Sequence, residues 1–151
     1  MKKKILIAVS VALIAAFGLY INDHKQSDLR ADFVKQVKNL PIGDLSSSQC
    51  KKLFEELKEK DLISSKIYKV AEDYVYINSK KMCITLTKSD GGLSDDETVI
   101  DLGTNNILYF YGYSALWPDY LNVSMFGKSV STSTTFFTSR DMFIYLKDNL
   151  K

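Results

Sequence analysis

Cys50 and Cys83 are the two cysteines of this 151-residue chain, and His24 is its one histidine. A thiol or hydroxyl nucleophile needs a base beside it, and a zinc site needs four N or S ligands at short spacing. His24 adjoins the N-terminal apolar run, far from either cysteine, so no triad or dyad base falls within the body of the chain. Two cysteines more than thirty residues apart, with no histidine near them, match no zinc spacing. The residues therefore supply no catalytic motif, no metal site and no cofactor site, and the chain is not expected to be an enzyme.

Carboxylates are the remaining candidates. Glu72-Asp73 and Asp95-Asp96 are sequence neighbours and point apart in extended structure. Counting an EF-hand loop from Asp90 puts Gly92 and Ser94 at the third and fifth ligand positions, so that pattern fails. Gly91-Gly92 precedes no helix and makes no phosphate loop. The alternative function, a carboxylate-dependent hydrolase acting on envelope glycans, requires two of Glu72, Asp73, Asp90, Asp95, Asp96, Glu97, Asp101 and Asp119 to converge in a cleft.

The compartment follows from the N-terminus. Lys2, Lys3 and Lys4 precede an apolar run from Ile5 to Ile21 broken only by Ser10 and Gly18, the pattern of an export signal or anchor. Residues 1–21 are a signal peptide or a single-pass anchor, and residues 22–151 are one exported domain at the periplasmic or extracellular face. Ala16-Phe17-Gly18 suits cleavage, which would release the domain; a retained run of this length is just enough to span a bilayer in the inner membrane. No cysteine ends the run for lipid modification. Asn122-Val123-Ser124 has the form of a glycosylation sequon, but the short lysine-led signal is of bacterial type and gives it no role. An oxidising compartment turns a cysteine pair into a disulfide, so Cys50 and Cys83 are expected to be bonded.

Charge narrows the partners. Without the three export lysines the domain carries 17 basic and 18 acidic residues, too balanced for a nucleic-acid binder. Residues 35–88 are net basic and residues 89–151 net acidic, an asymmetry that can guide docking.

The elements that must position these residues are legible from period. Leu29, Phe33, Val37 and Leu40 repeat at helical spacing up to Pro41 and Gly43. Ser46 and Gln49 form a capping box for a second helix, whose apolar stripe is Cys50, Leu53, Phe54 and Leu57. Alternation then marks strands at 74–77, 82–87, 98–102 and 107–113, with 88–97 read as a polar loop and Asn78 to Lys80 as a turn. Strand composition returns at 121–126 and 130–137, and a last helix is capped by Thr138 or Ser139, with Met142, Phe143, Leu146 and Leu150 as its stripe. The fold class is α+β: a signal or anchor helix, two short helices, a mostly antiparallel sheet of four to six strands and a C-terminal helix.

Two expectations concern faces of the sheet. Cys83 alternates with Thr85 and Thr87 and not with Ile84 and Leu86, so its bond to Cys50 requires either a crossing at the strand's end or the opposite choice of core face. Tyr109, Tyr111 and Tyr113 share one face of their strand. If Leu108 and Phe110 face the core, these tyrosines form a contact surface, joined by Tyr74 and Tyr76 and rimmed by Trp117 and Tyr120; otherwise the last helix covers them. The expected role is that of an envelope accessory or binding protein, an inhibitor, immunity or assembly factor, contacting an envelope protein or glycan, and the membrane too if residues 5–21 are retained.

Overall fold

The computed structural model describes residues 29–59, 68–90, 94–114, 121–130 and 137–150. Residues 5–21, Trp117 and Tyr120 lie outside these. Among the described residues no helix is long and apolar enough to cross a membrane.

Among the described residues, three helices and a six-stranded antiparallel sheet make an α+β fold. Helix α1 covers residues 29–39, and α2 is Ser47–Glu59. The strands follow as β1 (Tyr68–Ile77), β2 (Met82–Asp90), β3 (Ser94–Asp101), β4 (Asn106–Ser114), β5 (Leu121–Met125) and β6 (Lys128–Ser129), and α3 (Ser139–Asn149) closes the chain. Each strand pairs with its sequence neighbour, in the order β1-β2-β3-β4-β5-β6. Three connections therefore lie at one end of the sheet: between β1 and β2, between β3 and β4, and between β5 and β6.

The helices form where their caps and stripes dictate. At α2 the Gln49 side chain accepts from the Ser46 backbone N–H at 2.8 Å, while the Ser46 hydroxyl accepts from the Gln49 N–H at 3.3 Å. At α3 the N-cap is Thr138, reciprocally bonded with Asp141. Phe33 and Val37 of α1 and Met142, Phe143 and Leu146 of α3 are fully buried, on one core with Met82, Ile84, Leu86, Val99, Leu108, Tyr109 and Val123 of the sheet.

The opposite face of the sheet is covered as well, and this resolves the position of Cys83. Helix α2 lies over the second face of β1 and β2, where Phe54 meets the Tyr74 ring at 4.6 Å and Cys50 is bonded to Cys83 with their Cα atoms 5.3 Å apart. Cys83, Thr85 and Thr87 all point to that side and are buried there. Neither a crossing at the strand's end nor a reversed core is needed. The buried hydroxyls are satisfied by the sheet itself: Thr85 Oγ1 donates to the Asp73 carbonyl at 2.9 Å and Ser89 Oγ to that of Asp96 at 3.4 Å.

The polar stretch 88–97 is strand and not loop, apart from residues 91–93, which lie outside the described residues. Lys88 pairs with Glu97 and Ser89 with Asp96 across a hairpin. Opposite charges facing one another stabilise such a pair, and a charged composition conceals the strand from an apolar-alternation reading. At the other end, β6 is confined to two residues, with Val130 N–H donating to Val123 O at 2.9 Å; residues 131–136 of the expected strand lie outside the described residues.

Candidate functional site

Each connection at the shared end of the sheet contains a residue in the left-handed region. These are Lys81 (φ 49°) after the β1–β2 turn, Asn105 (φ 57°) in the β3–β4 turn, and Phe126 (φ 50°) with Gly127 (φ 74°) between β5 and β6. Asn tolerates that conformation well. Its turn is held by Asp101, whose carboxylate accepts from Gly103 N–H at 3.0 Å and from the Thr104 hydroxyl at 2.7 Å. Phe126 is less usual, because the first position of a two-residue hairpin with both φ positive favours Asn, Asp or Gly. It is held by what it touches: its N–H donates to Leu108 O at 2.9 Å, and its ring lies 5.8 Å from that of Phe33.

The chain between α1 and α2 crosses this same end, passing from the first face of the sheet to the second. Pro41 cannot continue the helix. Gly43 N–H then donates to Lys80 O at 2.8 Å, Leu45 N–H to Lys81 O at 3.2 Å, and Tyr76 Oη to Leu45 O at 2.7 Å. Lys80 Nζ donates to Leu40 O at 2.6 Å. A Cβ on Gly43 would sit 2.7 Å from the Lys81 carbonyl oxygen, which is backbone and cannot swing aside. Gly43→Ala is therefore expected to push this segment off the turn and to cost about 1–3 kcal/mol, read as a lower urea midpoint with an unchanged slope.

Between the crossing segment and the turns lies an apolar cleft of about 660 Å³. Leu40, Pro41, Ile42 and Gly43 make one wall, Thr104 to Ile107 the other, Phe126 and Gly127 the end, and Met82 and Leu108 the floor. Ile42 is 68% and Ile107 47% exposed, two large apolar side chains left in water at its mouth. Among the described residues, no lysine or arginine lines it. Its one charged residue, Asp101, is 5% exposed and already holds the β3–β4 turn. The arrangement can hold an apolar group by burial, and its lining supplies no nucleophile or general base.

Tyr109, Tyr111 and Tyr113 share one face of β4, as expected, but a β-bulge before them turns that face to the core and away from Tyr74 and Tyr76. Val99 pairs with Tyr109 and Ile100 with Ile107, so Leu108 is an extra residue and joins Tyr109 on the core side. Tyr109 is fully buried and donates its hydroxyl to Phe137 O at 2.8 Å. Burial first, then the charge of Asp141 and the neighbouring Tyr111, raise its pKa well above the ordinary 10.0. Tyr111 is half-buried and Tyr113 is 40% exposed; with Lys88, Glu97 and Thr138 they line a hollow of about 200 Å³ toward the opposite end of the sheet. Tyr74 and Tyr76 stand on the second face, under α2 and the segment that leads into it.

On β1 and β3, Glu72, Asp73, Glu97 and Asp101 are engaged with basic, main-chain or hydroxyl groups. Arg140 pairs with Glu72 and gives its backbone N–H to Glu97 at 3.1 Å, and Lys147 pairs with Asp73 at 2.7 Å. These contacts fasten α3 to β1 and β3. Among the described residues no three His, Cys, Asp or Glu side chains are grouped to hold a metal ion. The cleft was missed by period and motif because four separate segments build it. Its local traces are apolar residues set beside turn formers, in Pro41-Ile42-Gly43, Asn106-Ile107 and Phe126-Gly127. Comparison of the chain with protein-family models, with curated proteins and with solved structures finds no match.

Proposed function

We propose that this chain is a binding protein of the cell envelope, exported or anchored by residues 5–21, with the apolar cleft as its contact site. The cleft carries the reading: two isoleucines exposed at the mouth of an apolar recess cost solvation in the free protein, and a bound partner removes that cost. The lysine-led apolar run supports export, as does a fully buried disulfide, which belongs to an oxidising compartment. The engaged carboxylates support binding over hydrolysis.

The test uses the full chain with its native N-terminus, crosslinked in intact cells and recovered from the envelope fraction. Ile107→Asp places a charge at the mouth of the cleft without touching the core. Crosslinked adducts should fall on the order of tenfold while the melting temperature stays that of the wild type, and Tyr113→Ala should leave the adducts unchanged. Equal adducts in Ile107→Asp and wild type would sink the reading.

A further inference from the structure

The lining of the cleft restricts what it can take. Its carboxylate is committed to its own turn, no lysine or arginine is among the described lining residues, and the nearby Lys80 ammonium is spent on the Leu40 carbonyl, so a buried phosphate or carboxylate is poorly matched. An extended peptide is no better suited. Leu40 O, Gly43 N–H and Phe126 N–H are already bonded to Lys80 and Leu108, which removes three main-chain groups from any ladder with a peptide. A hydrocarbon chain has no such groups to satisfy, and the volume lies in the range of small-molecule sites.

Polar groups occur on one side of the mouth, where Asn105 and Asn106 are exposed and offer neutral amides. That is the complement of an ester or a glycerol hydroxyl. Where the apolar run is retained, chain length keeps the cleft within about 40 Å of a bilayer: seven residues, 22–28, span at most about 25 Å, and the eleven residues of α1, which ends at the cleft, add about 16 Å.

We infer that the cleft takes a single acyl chain of a membrane phospholipid, with the headgroup outside in water and the ester at the Asn105–Asn106 rim. This rests on the reading of the cleft as the contact site. The probe is a phosphatidylcholine carrying a diazirine in one acyl chain, placed in vesicles with the full chain and photolysed, and the labelled peptides are mapped by mass spectrometry. Label is expected in the peptides holding Leu40 to Gly43 and Ile107 to Leu108. Ile42→Asp and Ile107→Asp, both at exposed positions that leave the core intact, should each lower it on the order of tenfold.

Several outcomes overturn the inference: no label in those peptides, equal label in the variants, or a diazirine-bearing free fatty acid that labels them as strongly as the phospholipid. A concentration-dependent dimer abolished by Ile107→Asp, without lipid label, would assign the cleft to a second copy of the chain. If lipid label is absent while Ile107→Asp still abolishes envelope adducts, the acyl chain is wrong and the binding-protein reading stands. If both are absent, both fall.

Discussion

Replacing both cysteines, as Cys50→Ala with Cys83→Ala, should destabilise the domain by about 4 kcal/mol, the chain-entropy value for a loop of this length at 25 °C. The bond joins residues 33 apart in sequence and ties α2 to the second face of β2. Domains of this size hold roughly 5–15 kcal/mol in all, so the loss is a large share of the total. Beyond the entropy of the unfolded chain, α2 has only modest packing to keep it in place: among its described side chains, Phe54 is the one buried besides Cys50. Thermal unfolding of the oxidised protein and of the double variant checks this. A difference under about 1 kcal/mol would show that α2 is held by its packing and that the bond is dispensable.

Tyr109 carries the second large effect. Its ring packs edge-on against Phe33 at 5.8 Å and is fully buried between β4 and the helices, so Tyr109→Ala should cost about 3–5 kcal/mol. Tyr113→Ala, at an exposed position on the same strand, should stay within about 0.5 kcal/mol. Tyr109→Phe keeps the ring but leaves Phe137 O without its donor, for about 1 kcal/mol.

The same residue makes stability depend on alkaline pH. Folding raises the pKa of this phenol, so the folded state holds its proton more tightly than the unfolded state. The contribution is whole below the unfolded value of 10.0 and is lost as pH rises from there toward the higher folded value. Urea midpoints measured across that range should fall in the wild type and fall less in Tyr109→Phe. Parallel curves would remove Tyr109 as the cause.

How much of this was legible depends on how local each signal is. The capping box at Ser46–Gln49, a cap at Thr138 or Ser139 and the stripes of the helices are short-range patterns, and they survive in the fold, where Thr138 is the cap and Asp141 completes a second box with it. The disulfide was legible because compartment and cysteine count leave one pairing. The second covered face was not, since α2 reaches it through a crossing segment fixed by bonds to Lys80 and Lys81, far away in sequence. The tyrosine row keeps its face, but one inserted residue, Leu108, turns that face to the core, so Tyr109 is buried and Tyr113 at the far end is exposed; nothing in the alternation of β4 marks the insertion. The cleft escaped for the same reason at larger scale: its four segments become neighbours only when the sheet closes its turns at one end.

The neighbour-by-neighbour order of the sheet has a consequence for assembly in time. A meander can zip up hairpin by hairpin as the chain emerges N-terminus first, each pairing being close in sequence. The contacts that fasten the first strand to the last helix, Glu72 with Arg140 and Asp73 with Lys147, span 68 and 74 residues. The buried face shared by α1 and α3 likewise waits for residues 139–149. Until that last helix has been added, the core stays open on one side, so the order of the elements leaves closure of the core to the end of the chain.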